Sequence, residues 1–193
     1  LLIRHYDSDV TSFTGSTGNY KDSNYINSHK IVQSQFSYDV SSSKINNSKT
    51  NLFDDQSNTY WGSNDPNNNE FNNWITVNFT SVFSLEAFLY DNAYNTYGNS
   101  RVFQGAPKEL HIYSSIGEDP YKLSMVFRAT PVYPWTQFQF VFPTPLLCDK
   151  IKIIFEDITP DNYLSSGALC PVSGGITLLQ EAASDIITIT EAT

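Results

Sequence analysis

The chain has 193 residues, of which 40% are hydrophobic and 15% aromatic. That is enough for one β-sandwich domain, and the aromatic content is too high for a disordered segment. The 11 Lys and Arg residues and the 20 Asp and Glu residues give a formal net charge of −9. Binding to nucleic acid and docking to anionic lipid both rely on basic side chains that meet phosphates, so this charge argues against both partners.

The amino-terminal stretch is polar and mixed. Residues 1–29 are expected to form an N-terminal extension or an edge strand. The apolar start at residues 1–3 is followed at once by Arg4 and His5, which does not fit a signal peptide. We therefore expect a mature or excised domain.

Short alternating segments separated by Gly, Pro, Asn and Ser follow from residue 30 onward. In residues 74–79, the apolar side chains of Ile75, Val77 and Phe79 alternate with other residues, as in a strand with one buried face. Further strands are predicted at residues 31–40, 83–90, 109–114, 121–130, 137–142, 150–155 and 176–181. No amphipathic helix is predicted, so the pattern favours an all-β sandwich or barrel.

Two cysteines, Cys148 and Cys170, lack any zinc-binding spacing. A disulfide between them would close a loop of about 20 residues and stabilise the fold by roughly 3 kcal/mol. Two unpaired buried thiols are the alternative.

Two segments fit the N-glycosylation sequon, at Asn46 and at Asn78. They favour an extracellular or cell-surface location.

Four segments resemble the coagulation factor 5/8 type C (discoidin) superfamily, which includes the family 32 carbohydrate-binding modules. Residues 52–61 (LFDDQSNTYW) are similar to its "A-x-D-G-N-x-x-T-x-W" segment, and residues 74–79 to its "W-x-x-V-D-L" strand. Residues 101–115 and 150–155 are similar to later strands of the family. The order of these segments implies a galactose-binding-like jelly roll of the all-β sandwich class.

The resemblance covers residues 30–182, which implies a discoidin-like β-sandwich there and a C-terminal tail or the start of a linker at residues 183–193. The sequence departs from the family where Asp55 replaces a glycine, Gln56 replaces Asn or Asp, and Asn78 replaces an aspartate.

Residues 52–59 bring carboxylates, a hydroxyl and carbonyls into one turn, and these are the ligands that calcium prefers. In the resembling modules this turn holds a structural Ca²⁺. The resemblance implies that the ligands here are Leu52 (carbonyl), Asp54, Gln56 (carbonyl), Thr59 and Glu181. The alternative is a metal-free turn in which Asp54 accepts hydrogen bonds from main-chain amides.

The resembling domains bind ligands through loops at one end of the sandwich, and residues 91–104 form one of the corresponding loops. Sugars are held by an aromatic face together with polar groups that bond to hydroxyls. The candidate ligand-binding residues are Tyr97, Arg101, Tyr163, Tyr94, Asn95 and Asp65. Each is also of a type common in ordinary loops, and Arg101 has Asp91 as an alternative ion-pair partner.

No catalytic constellation stands out, because the sequence lacks a nucleophile elbow and a phosphate-binding glycine loop. We therefore expect a non-catalytic, lectin-like adhesion module, calcium-stabilised, whose partner is a cell-surface glycan or glycoprotein. The alternatives are a protein-interaction domain of an adhesin or receptor and, less favoured, a phospholipid-binding domain.

Overall fold

The computed structural model of the protein describes residues 10–13, 23–43, 48–56, 59–63, 73–92, 94–97, 100–103, 105–129, 137–158 and 172–181. The strands are β1 (Val10–Phe13), β2 (Phe36–Val40), β3 (Trp61–Gly62), β4 (Trp74–Asn92), β5 (Tyr94–Tyr97), β6 (Ser100–Phe103), β7 (Pro107–Ser115), β8 (Lys122–Ala129), β9 (Gln137–Ile158) and β10 (Val172–Gln180). The helix α1 spans Ser23–His29, and short 3-10 helices span Gln33–Gln35 and Lys49–Leu52.

The strands form a two-layered sandwich because β4 and β9 take part in both layers. The first half of β4 pairs with β2 and with the second half of β9, which continues through β7 and β8 to β1. The second half of β4 pairs with the first half of β9 and with β10, which pairs with β3. All of these pairings are antiparallel except β1 with β8, which are parallel. The predicted all-β jelly-roll sandwich is confirmed.

The alternation in residues 74–79 is confirmed by burial. Ile75 and Val77 are fully buried, and Phe79 is 8% exposed. Because successive side chains of a strand point to opposite faces, one register places the whole apolar set in the core.

Aromatic rings fill the space between the two layers. The ring centroid of Phe88 in β4 lies 4.7 Å from Phe140 in β9 and 5.8 Å from Phe127 in β8. Because Phe127 belongs to the first layer and Phe88 to the second, this cluster joins the layers. Offset and edge-on pairs of this kind contribute about 0.5–1.5 kcal/mol each beyond their buried area.

Two elements lie in the described residues of the amino-terminal part, 10–13 and 23–29. β1 lies at the edge of the first layer beside β8. The helix α1 was not predicted, and its Ile26 packs on the outer face of the second layer, against the cluster of Ala87, Leu89 and Leu179. None of the helices in the described parts of the chain is long and apolar enough to cross a membrane.

Candidate functional site

Both long strands of the sandwich begin and end at the same end of the molecule. Trp74, the first residue of β4, pairs with Ile154 late in β9, and Asp91 near the end of β4 pairs with Gln137, the first residue of β9. Halfway along β4 the chain bends back, so that the rings of Phe79 and Phe83 lie 5.2 Å apart. We call the end at which these strands start and stop the loop end, defined by Val40, Trp74, Asn92, Gln137, Ile158 and Val172.

A buried polar network joins the segments that lead into the loop end. Ser63 and Asn73 are fully buried, and the Ser63 hydroxyl donates a hydrogen bond to Asn73 Oδ1. Ser42 Oγ lies 2.7 Å from Ser63 Oγ, and Trp61 Nε1 donates to the Ser42 carbonyl at 3.2 Å. The Asn73 carbonyl accepts from the amide of Phe155 in β9 at 3.1 Å. The network therefore ties three separate chain segments to the sheet.

Four predicted ligand-binding residues lie in strands rather than in an irregular loop. Tyr94, Asn95 and Tyr97 belong to β5 and Arg101 belongs to β6, and these two strands pair as an antiparallel hairpin in which Arg101 faces Thr96 in register. The polar loop predicted for residues 91–104 is thus corrected, because its backbone groups pair with each other. The side chains of these four residues, and Asp65 and Tyr163 altogether, lie outside the described part of the structure.

Hydrogen bonds to oxygen atoms hold the predicted calcium turn together. The Gln56 amide donates to Asp54 Oδ1 at 3.0 Å, and Asp55 adopts a positive φ of 58°. The Thr59 hydroxyl lies 2.8 Å from Asp54 Oδ2 and 3.1 Å from the Gln56 carbonyl oxygen. Asp54 therefore accepts a main-chain hydrogen bond, as in a metal-free turn. Calcium ligands at 2.3–2.6 Å from the ion also lie roughly 3 Å apart, so this spacing suits both alternatives.

The fifth predicted ligand, Glu181, lies away from this turn. Its carboxylate accepts a hydrogen bond from the Ser84 hydroxyl at 2.7 Å, and its amide donates to the Ser84 carbonyl at 2.9 Å. The turn instead borders a cavity of about 110 Å³ that Asp54 shares with Thr177 and its neighbours in β10. Glu181 is four residues beyond Thr177, which is about 13 Å along a strand. The structure brings Leu52, Asp54, Gln56 and Thr59 together but does not place Glu181 with them.

A second cavity, of about 180 Å³, adjoins the same turn and is lined by the carboxylate of Asp91, which the sequence suggested only as an ion-pair partner of Arg101. Leu52, Asp55, Gln56, Asp91 and residues 174–177 line it. Burial raises the pKa of Asp91, and a hydrogen bond from Gln137 Nε2 to Asp91 Oδ1 (2.7 Å) offsets part of this shift. The sequence signal was weak because Asp91 looked like the first residue of a polar loop.

The donor set around this cavity fits a hard divalent cation. It combines carboxylates with main-chain carbonyls and a hydroxyl, which are the ligands of calcium sites. In the described ranges no three His, Cys, Asp or Glu side chains form a metal-binding group. A cation here would therefore take a large share of its ligands from carbonyl and hydroxyl oxygens.

The structure describes one of the two cysteines and one of the two sequon asparagines. Cys148 is a free thiol that is fully buried, and burial raises its pKa to about 12. Its predicted disulfide partner, Cys170, lies outside the described residues, so the disulfide between them stays a prediction. Asn78 is exposed on β4, as an N-glycan requires, whereas Asn46 also lies outside the described residues.

Among known proteins, similarity to this chain was found in solved structures and not in sequence comparisons. No protein-family model and no curated protein matches the sequence. Two similar solved structures come from Clostridium perfringens. The first, CBM32-1 and CBM32-2 of ZmpB in complex with GalNAc, is 15% identical with a TM-score of 0.65, and the match covers 91% of this chain and 42% of that one. The second, the family 32 module of NanJ in complex with galactose, is 15% identical with a TM-score of 0.56, and the match covers 78% of this chain and 97% of that one. The chain has the fold of the family 32 carbohydrate-binding modules. This galactose-binding-like fold is the one that the sequence resemblance implied.

The share of the solved structure that this chain covers differs from one structure to another. The chain spans 38% of the ZmpB structure that contains both CBM32 domains, but 99% of CpGH89CBM32-5, solved with GalNAc-β-1,3-galactose (10% identity, TM-score 0.57). The chain thus spans less than half of the two-domain structure and nearly the whole length of the single module.

Proposed function

We propose that this chain is a non-catalytic, extracellular carbohydrate-binding module that recognises galactose- or GalNAc-type cell-surface glycans through its loop end. The observation that carries the proposal is the shared fold, since single modules of nearly the same extent have been solved with these sugars. The binding surface is formed around the β5–β6 hairpin.

The composition of the hairpin supports this choice of surface. Tyr94, Tyr97 and Arg101 lie within a strand pair of eight residues at the loop end. A tyrosine ring stacks on the apolar face of a sugar, and an arginine bonds to its hydroxyls without depending on pH. Asn95, Asp65 and Tyr163 complete the proposed ligand set.

The buried network around Asn73 supports binding as well. Loops that are already ordered lose less conformational entropy when a ligand binds. The hydrogen bonds that hold the loop end in place therefore raise its affinity for a sugar. We assign the single site an affinity near 1 mM, or about −4 kcal/mol. Adhesion then relies on several copies or on a multidomain parent.

Calcium is the second part of the proposal. The oxygen-rich turn at residues 52–59 lies beside β10, and a bound Ca²⁺ would hold this turn against the sheet. The proposed role of this ion is structural, as the sequence resemblance implies.

The proposal is tested by titrating galactose, GalNAc and glucose into the chain by isothermal calorimetry, and by a glycan array with a multimerised form. The variants Tyr97→Ala and Arg101→Ala are expected to weaken galactose binding by at least about tenfold. The matched controls are Tyr121→Ala and Lys122→Ala. Both residues are exposed, and Lys122 pairs with Ser114 at the end of the sheet opposite the loop end. They should bind as the wild type does.

Two results would contradict the proposal. One is the absence of glycan binding by the multimerised wild type in the presence of calcium. The other is a protein partner that remains bound after its glycans are removed, which would instead favour the protein-interaction alternative.

A further inference from the structure

The carboxylate of Asp91 occupies an unusual position for a charged group. It lies on β4 between two neighbouring strands, with Gly175 of β10 on one side and Gln137 of β9 on the other. Gln137 fixes one carboxylate oxygen, Oδ1, by a hydrogen bond of 2.7 Å. Burial of a charge costs free energy unless a partner compensates for it. A neutral amide donor offsets only part of this cost.

The other carboxylate oxygen is directed toward the calcium turn. A Cβ atom added to Gly175 would lie 3.5 Å from Asp91 Oδ2 and 3.8 Å from the Leu52 carbonyl oxygen. These two oxygens therefore flank the same space, and the glycine keeps that space free of a side chain. The space belongs to the 180 Å³ cavity that Gln56 also lines.

The charged side chains around this cavity and its neighbour leave two carboxylates without a basic partner among the ion pairs of the described residues. Lys30 Nζ forms an ion pair with Asp55 Oδ1, so the charge of Asp55 is balanced locally. Two carboxylates remain: Asp91 lines this cavity and Asp54 lines the adjoining one. The two cavities share Asp55, Ile176 and Thr177. Two negative charges match one Ca²⁺ ion, and the charge count of the ligands is a main determinant of calcium affinity.

We propose that Asp91, and not Glu181, supplies the second carboxylate of the calcium site, and that Gln137 positions it. The inference rests on the calcium part of the proposed function and changes its ligand set to Leu52, Asp54, Gln56, Thr59 and Asp91. The site thereby links the turn at residues 52–59 to β4, the strand that leads into the β5–β6 hairpin.

The test is a Ca²⁺ titration of the chelator-stripped chain by isothermal calorimetry, together with thermal melting at each calcium concentration. The variant Asp91→Asn is expected to weaken calcium binding by at least about tenfold and to remove the calcium-dependent rise in Tm. Glu181→Gln and the control Asp157→Asn, whose carboxylate forms an exposed ion pair with Lys108, should bind calcium within about twofold of the wild type.

The melting temperature of Asp91→Asn without calcium shows whether this variant folds. An amide is less costly to bury than a carboxylate, so Asp91→Asn without calcium should melt no lower than the calcium-free wild type. If it does melt lower, the wild type still decides the question: Mn²⁺ added in place of Ca²⁺ should broaden the NMR amide signals of Asp91 and Gly175 before that of Glu181.

The inference is overturned if Asp91→Asn binds calcium as the wild type does, if Glu181→Gln is the variant that loses it, or if the wild type binds no calcium. Glycan binding is measured separately on the same samples. Asp91-dependent calcium binding without any glycan binding would reject the glycan proposal and leave this inference standing.

Discussion

Asn73 offers the sharpest test of how the sandwich holds its loop end. Replacing it with alanine removes the acceptor of the Ser63 hydroxyl, and both residues are fully buried. The Ser63 hydroxyl keeps Ser42 Oγ as a neighbour at 2.7 Å, so the cost is that of one buried hydrogen bond, roughly 0.5–1.5 kcal/mol. For a chain of this length, each kcal/mol corresponds to about 2–4 °C in Tm. We therefore expect Asn73→Ala to melt about 1–6 °C below the wild type.

The assay is thermal and urea unfolding of Asn73→Ala, Ser63→Ala and the double variant, since the two single changes remove the same hydrogen bond. The cycle should give a coupling of about 0.5–3 kcal/mol. Asn73→Ala should also weaken galactose binding roughly 3- to 10-fold, because the loops lose preorganisation. Ser124→Ala deletes a hydroxyl that bonds Ser114 at 2.6 Å on a part-exposed face, and it serves as the control. An unchanged Tm, or strictly additive single effects, would refute this reasoning.

Three further predictions concern the core, the free thiol and a surface carboxylate. Phe88→Ala should lower the free energy of unfolding by about 3–5 kcal/mol in urea titrations, whereas the exposed control Leu147→Ala should change it by less than about 0.5 kcal/mol; a loss below about 1 kcal/mol at Phe88 contradicts the aromatic core. Because the pKa of Cys148 is about 12, native protein at pH 8 should label at this thiol far more slowly than protein in urea, as read by mass spectrometry, and equally fast labelling contradicts its burial. Burial raises the pKa of Glu109, but hydrogen bonds from its His and Arg neighbours lower it by more. A lowered carboxyl pKa gives stability above the unfolded value, near 4.3, that is lost as the pH falls. Glu109→Gln should therefore lose less stability than the wild type between pH 6 and pH 3, and parallel losses would contradict this.

The layers of the sandwich were predictable because burial follows the two-residue period of a strand. Ile75, Val77 and Phe79 alternate in the sequence and are buried in the structure. The continuity of the strands was not predictable. Residues 83–90 and 74–79 were expected as separate strands, yet both belong to the 19-residue β4. Its bend between the layers depends on tertiary packing, which has no periodic signal in the sequence.

The sequence grouped the residues of the predicted calcium turn but did not place Asp91 beside them, and the reason is again tertiary pairing. Asp54, Gln56 and Thr59 are close in sequence, so a local motif was enough to group them. Asp91 reaches the turn only because β4 pairs with β10 and β9, strands that lie about 45 to 90 residues further along the chain. The prediction of Glu181 relied on the resemblance alone and ignored where β10 ends. The helix α1 was missed because seven residues are too few to display a helical period.

The central claim, glycan recognition at the loop end, is tested most directly by an NMR titration of the isotope-labelled chain with galactose or GalNAc in calcium. We predict saturable shifts, centred on residues 94–103 and absent from the bend around Val82 and Leu147 at the opposite end. Shifts centred on that bend, or no shifts up to concentrations well above 1 mM, would contradict the account.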